Sequence, residues 1–402
     1  MKRLFLYSPL ALSLCFAVTQ RACADVKLPS IIASHMVLQQ EKPLPIWGWA
    51  DPGEEVTVQF GDKTEKTAAD DKGNWKVTLP AQKADNKPRR LVVVGKIKIE
   101  LTDILIGEVW VGSGQSNMEW NLKDSTGAKS TIAAANYPEI RLFQVPKVQN
   151  KAPAKDVKAT WEVCSPKTVG RFSGVLFHFG LRLQKELGVP IGLINSSWGG
   201  SSIDPWIIGE KQSGGMYNGM IAPLQPFAIR GTTWYQGEAQ VGTGMKYRDK
   251  MEALIQGWRK IWGNDMPFYF VQLAPWSGYK EAGALPGLWE AQVASLKIPG
   301  TGMAVVTDLV DNIAEPIIIT GVEIEGAESV GNFDNFQLNP NQPVTRGMRV
   351  YFRGKAPKGT EDYAVQLVFK DLRGNRYPTV EHRFKPLPIP ERVDIQRGHH
   401  LS

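Results

Sequence analysis

The chain has 402 residues, 43% hydrophobic and 22% charged, which is the composition of a globular protein with room for two or three domains and a large core. Its net charge of +7 is spread without a dense basic block, which argues against nucleic acid as a partner. After the N-terminal segment, no stretch is long and apolar enough to span a bilayer.

That N-terminal segment has the form of a secretory signal. Lys2-Arg3 precede an apolar run from Leu4 to Val18, and Ala22-Cys23-Ala24 forms a small-residue cleavage pattern before Asp25. Removing 1–24 takes Lys2, Arg3 and Arg21 with it and leaves a net +4 from the +7. Of the three cysteines only Cys164 then remains, so no intrachain disulfide is expected. The protein is expected to be exported, to the periplasm or outside the cell.

Residues 25–101 read as an N-terminal β-sandwich-like module. Leu44–Trp49, Val56–Phe60, Trp75–Leu79, Leu91–Val94 and Ile97–Leu101 are short strand-like runs, and Asp51-Pro-Gly53 and Asp70–Asn74 supply turns. The tryptophans of this region are expected in its core. From Ile104 the period changes, and strand-like and helical runs alternate, the signature of a parallel α/β sheet with helices on both faces. The apolar run Ile104–Val111 ends in Gly112-Ser-Gly114, with Ser116 just before a helical start. Arg171–Leu187 is helical, its apolar face Phe172, Val175, Leu176, Phe179, Leu183 and Leu187. Strands follow at Ile191–Ile194, Ile229–Trp234, Phe268–Leu273 and Met303–Thr307, with helices at Tyr247–Trp262 and Leu288–Leu296 between them. This α/β unit is placed at 102–313. A C-terminal all-β module is expected at 314–390, with strands at Ile317–Ile324, Met348–Phe352 and Val365–Phe369, and a polar tail at 391–402.

In open α/β sheets ligands sit beyond the carboxyl ends of the strands. Ser116, Gly199, Gly200, Gln236, Glu238 and Asp308 all fall at such ends, on four strands. Ser116 is a candidate nucleophile. Its attack on an ester carbonyl creates an oxyanion that needs preorganised donors, and the main-chain N–H groups of Ser116 and of Gly199 or Gly200, with the carboxamide of Gln236, are of the right kind. Glu238 reads either as a brace for Gln236 or its loop, or as a solvated loop carboxylate.

Three blocks, Gly114-Gln-Ser-Asn117-Met118, Asn195-Ser-Ser-Trp-Gly-Gly200 and Trp234-Tyr-Gln-Gly-Glu238, together with Ser34-His-Met-Val-Leu-Gln39 in the N-terminal region, resemble the sialate O-acetylesterase family, a branch of the SGNH hydrolases. The resemblance runs from about Leu28 to Asn312. It implies a flavodoxin-like parallel sheet and removal of acetyl groups from O-acetylated sugars or sialic acid through an acyl-Ser116. Ser116 would be the nucleophile, Gly200 or Gly199 the second oxyanion donor and Gln236 the third, with Asn117, Gly199 and Glu238 in support. The family's general base is a histidine shortly after an aspartate region. Here Thr307-Asp308-Leu-Val-Asp311-Asn312 begins that block, but Ile313-Ala-Glu-Pro316 follows without a histidine. Asp308 or Asp311 is left to orient a base or to act as one.

A serine hydroxyl is a weak nucleophile without an adjacent base. The competing reading is therefore a carbohydrate-binding relative that kept the cleft and lost the base. His35 reads as structural. His178 lies off its helix's main apolar stripe, His382 lies in the C-terminal module, and His399 and His400 lie in the tail. Neither a metal site nor a cofactor is expected, because the histidines are scattered and no phosphate-cradling glycine loop is present.

Overall fold

The computed structural model describes residues 25–209, 214–263, 265–275, 279 and 284–306, and the backbone of six strand segments between residues 317 and 384. Residues 1–24, read from the sequence as a secretory signal, the Thr307–Asn312 block and the tail lie outside the described residues.

The N-terminal region holds β1 (Val37–Gln39), β2 (Leu44–Trp49), β3 (Glu55–Phe60), β4 (Lys63–Ala68), β5 (Asn74–Leu79) and β6 (Asp85–Val94). β2 pairs antiparallel with β5, and β3 pairs antiparallel with both β4 and β6. Period-2 alternation puts Val56, Val58 and Phe60 of β3 and Trp75, Val77 and Leu79 of β5 inside. Trp47 and Trp75 are buried, so these two tryptophans are core.

Everything else is hung on β7 (Lys98–Gly114), a single strand of 17 residues. Its first half runs antiparallel to β6, and Leu105–Gly107 pairs in parallel with β1. From Ile104 to Gly114 every residue is buried. A strand at the centre of a parallel sheet is covered on both faces, so it reads as a continuous apolar run instead of alternating. The strand does not stop at the Gly112 expected from the sequence, because the glycines through Gly114 still pair with neighbours on both sides.

The α/β part adds α1 (Ser116–Glu119), α2 (Ala128–Ala134), β8 (Tyr137–Gln144), β9 (Trp161–Cys164), α3 (Gly174–Leu187), β10 (Ile191–Ser197), β11 (Gly231–Tyr235), α4 (Lys246–Trp262), β12 (Phe268–Val271), α5 (Leu285–Ser295) and β13 (Thr301–Ala304). The strand order is β13-β12-β11-β7-β10-β8-β9, all parallel except the edge strand β9. β8 and β9 fall in a stretch where the sequence pattern assigned no element.

α4 is the amphipathic helix the sequence implies. Tyr247, Met251, Leu254, Ile255 and Trp258 are fully buried, and Trp258 packs edge-on against Trp234 of β11 with centroids 6.2 Å apart. Each such side chain contributes about 1.5–3 kcal/mol by leaving water. α4 and α5 pack on the face that carries Ile194, and α3 on the face that carries Leu193.

α3 buries most of its expected face, with Phe172 and Leu176 buried and Phe179 and Leu183 packed on the same core, but not all of it. Its buried side is Leu176, Phe177 and Gly180, while Val175 and Leu187 are 36% and 52% exposed. The reason is steric. The helix meets the sheet at Gly180, where an added Cβ would lie 2.6 Å from Leu193 Cδ1. The closest approach therefore follows the glycine and not the widest apolar stripe. Ser173 caps the helix, its Oγ accepting from Leu176 N–H at 3.1 Å.

Toward the C-terminus, β14 (Ile317–Ile324), β15 (Phe336–Leu338), β16 (Tyr363–Val365), β17 (Leu367–Asp371), β18 (Arg376–Pro378) and β19 (His382–Phe384) form antiparallel pairs in the order β15-β14-β17-β18, with β16 on β19. The strand expected at Met348–Phe352 lies outside the described residues. Among the described residues no helix is long and apolar enough to cross a membrane.

Candidate active site

Parallel register brings the three blocks to one edge. In the sheet Gly114 of β7 stands between Ser197 of β10 and Tyr235 of β11. Adjacent strands are about 4.8 Å apart, so Ser116, Trp198–Gly200 and Gln236–Glu238 leave the sheet side by side.

Gly114 makes the exit. Its φ is +135°, and a Cβ there would lie 2.1 Å from the Tyr235 carbonyl oxygen. Gln115 N–H then bonds that same oxygen at 2.9 Å, and the chain turns into α1 with Ser116 as first residue. The Ser116 N–H belongs to the first turn, whose donors have no partner inside the helix. Its hydroxyl makes no hydrogen bond to any described side chain.

Gly199 packs directly on the serine, since a Cβ at Gly199 would stand 3.6 Å from Ser116 Cα and Cβ. Its N–H is already committed, donating to Glu119 Oε2, while Glu119 Oε1 holds Lys147 Nζ. Gly200 differs. It is exposed, with φ +76°, and its N–H has no partner among the described residues. Of the two glycines the sequence left open, only Gly200 has a free donor.

The Gln236 carboxamide is fully buried. Its Nε2 donates to Gln115 Oε1 at 3.0 Å and to the Ser201 carbonyl at 3.3 Å, and its Oε1 accepts from Tyr247 Oη at 2.9 Å. The NH₂ expected to face an oxyanion is therefore engaged inside the protein. Gln115 Oε1 also accepts from the Gly237 and Ala239 N–H groups, at 3.4 and 3.3 Å. The side chain next to the serine thus holds the whole β11 exit loop.

Glu238 is no solvated loop carboxylate. Its Oε1 accepts from Asn117 Nδ2 at 2.5 Å, and its Oε2 is buried with no partner among the described residues. Burial pushes its pKa up, against the opposing pull of the Asn117 bond. The carboxyl braces the residue after Ser116, not Gln236. In the second block the side chains hold one another: Ser197 Oγ donates to Asn195 Oδ1 at 2.8 Å, and Asn195 Nδ2 donates to Gln144 Oε1 at 2.9 Å.

Asp308 and Asp311 lie outside the described residues, as do His399 and His400, and of His382 only the backbone is placed. His35 Nδ1 is 2.6 Å from Asp103 Oδ2, a carboxylate also held by Arg141 and kept below its usual range against the burial that would raise it. Asp103 precedes Gly114 by eleven residues on β7. At about 3.3 Å per residue that separates His35 from the serine by roughly 35 Å. His178 is exposed on α3, opposite the face that meets the sheet. Cys164 is buried, and burial pushes its thiol up to about 12, so it is no rival nucleophile. Among the described residues no group of three His, Cys, Asp or Glu side chains is disposed to hold a metal.

Sequence reasoning gave no role to Gln115, Glu119 or Tyr247. Gln115 and Glu119 lie in or beside a block whose other polar residues were singled out, and two polar side chains flanking a buried glycine exit were the available signal. Glu119→Ala is expected to free the Gly199–Gly200 loop from α1. Acetate release should then fall about tenfold to a hundredfold, as misplacement of a donor by an ångström does. Rates within twofold of the parent in an acetate-release assay would show that the loop holds its position without Glu119.

The fold is an α/β sheet of the kind found in carbohydrate esterases, with a serine at the exit of its central strand. A family model described as carbohydrate esterase, sialic acid-specific acetylesterase, matches residues 106–312. The chain is 30% identical to a carbohydrate acetylesterase from Xanthomonas citri of known structure, with a TM-score of 0.68 over 86% of this chain and 81% of that one. It is 29% identical over 359 residues to human sialate O-acetylesterase, covering 75% of this chain and 69% of that one. It is 26% identical over 467 residues to the rat enzyme, covering 93% and 86%. The chain belongs to the sialic acid-specific acetylesterase family of carbohydrate esterases.

Proposed function

We propose that this protein removes O-acetyl groups from sialic acid or a related sugar through an acyl-Ser116 intermediate. The observation that carries the reading is the convergence of the three blocks: an unbonded serine hydroxyl on α1, a glycine loop close enough that a Cβ on Gly199 would touch Ser116, and Asn117 beside it tied to Glu238. Ser116 Oγ attacks the acetyl carbonyl carbon and gives up its proton. The tetrahedral intermediate expels the sugar oxygen, which takes a proton, and water then cleaves the acetyl-serine ester. The Ser116 and Gly200 N–H groups are the free donors for the oxyanion. Gln236 would join them by exchanging its Ser201 carbonyl partner for the substrate oxygen. Asp308 is proposed as the proton acceptor or as the group that orients it. Residues 1–24, which read as a secretory leader, are proposed to direct the protein out of the cytoplasm.

A second reading is favoured by one observation. Two donors expected from the sequence, the Gly199 N–H and the Gln236 NH₂, are bonded within the protein. On that reading the cleft binds acetylated sugar without turning it over. Incubation with an O-acetylated N-acetylneuraminic acid, acetylated xylan and an aryl acetate, together with fluorophosphonate labelling, separates the two. The esterase releases acetate and is labelled stoichiometrically on Ser116. A protein that releases none and resists the label is the noncatalytic relative.

A further inference from the structure

A single exposed apolar side chain is ordinary, but a tryptophan held rigidly one helical turn from a candidate nucleophile is a contact surface for whatever the site binds. Trp120 is 53% exposed, and it is the only tryptophan among the described residues that is exposed. The others are buried or half-buried, several of them packed edge-on or tilted against one another in the core behind β11.

Its placement is tied to the serine. Trp120 follows α1 directly, and its N–H donates to the Ser116 carbonyl at 2.8 Å, so one helical turn separates the indole from the candidate nucleophile. The residue is fastened from three directions. Its carbonyl accepts from Gly174 N–H at 2.8 Å, at the start of α3. Its indole Nε1 donates to the Asp124 carbonyl at 3.0 Å. The neighbouring Asn121 forms a bridge to Ser173. With Nε1 satisfied inside the protein, the ring has no polar demand left to place. What it offers outward is a flat apolar surface in a fixed orientation.

We infer that Trp120 is the platform on which the pyranose ring of the substrate lies, its C–H face against the indole, while the acetyl group reaches Ser116. A sugar ring has hydroxyls at its edge and a patch of C–H groups on its face, which matches a rigid amphipathic aromatic better than it matches an aliphatic side chain. Because the ring is already held, stacking on it costs little ordering of the protein. The inference rests on the acetyl-sugar reading of the site, and adds the residue that selects a sugar ester over a plain one.

The test separates the two ideas. In a Ser116→Ala background, which leaves the ester intact, binding of an O-acetylated N-acetylneuraminic acid is titrated calorimetrically, and acrylamide quenching of tryptophan emission is followed in the protein that keeps Trp120. Bound sugar is expected to shield the exposed indole. Adding Trp120→Ala should weaken binding at least about tenfold, and Trp120→Phe should restore part of it, in the range of an aromatic hot spot. With Ser116 in place, Trp120→Ala should lower the ratio of kcat/KM for the sugar ester to that for p-nitrophenyl acetate about tenfold, through KM on the sugar. Binding that depends on Trp120 without cleavage of any ester would sink the esterase reading and leave the platform standing. Cleavage or binding that Trp120→Ala changes by less than about twofold, with the thermal midpoint kept, overturns the platform, and so does the absence of any binding.

Discussion

Ser116→Ala is expected to lower acetate release from an O-acetylated sialic acid by at least about 10³-fold, to the level that binding and the oxyanion donors supply alone. The structure makes this a clean experiment. The hydroxyl makes no bond to any described side chain, so its removal orphans no described partner, and the Gln115, Asn117 and Glu238 contacts that hold the turn do not involve it. The thermal midpoint should stay within the small range of an ordinary surface change. A rate within tenfold of the parent would remove Ser116 from the chemistry and transfer the reaction to another nucleophile or to direct attack by water.

Gly114→Ala should have the largest effect on stability, above about 3 kcal/mol, with loss of soluble folded protein as its severe form. Two costs add. A φ of +135° lies outside what an L side chain adopts, and the Cβ would stand 2.1 Å from the Tyr235 carbonyl oxygen, in a sheet where neither backbone can retreat. Gly127→Ala serves as the control. Gly127 has φ +72° with no atom within 4 Å of an added Cβ, so it bears the conformational cost alone, about 1–2 kcal/mol. Chemical denaturation of the two variants reads the difference. Equal losses would mean that the β7 exit relaxes around the methyl group, and that the turn presenting Ser116 is softer than its geometry indicates.

Much of the architecture was legible because its signals are local. The alternation of Val56, Val58 and Phe60 marks a half-covered strand, the Tyr247–Trp258 spacing marks a helix face, and Ile104–Val111 marks a buried central strand. β8 and β9 escaped notice, since their mixed residues follow no clean period. On α3 the period placed Phe172, Leu176, Phe179 and Leu183 against the core but also counted the exposed Val175 and Leu187, because contact with the sheet is made where Gly180 allows the closest approach.

The same division runs through the site. Local chemistry in the chain determined that a glycine-flanked serine, a glycine pair and a carboxamide leave consecutive strand-like runs, since such residues announce turns and donors wherever they stand. Which of those groups is free was decided by tertiary structure, because a hydrogen bond to a residue far along the chain leaves no trace in local pattern. The Gly199 N–H is taken by Glu119 across 80 positions and the Gln236 NH₂ by Gln115 across 121, while the Gly200 N–H has no partner among the described residues.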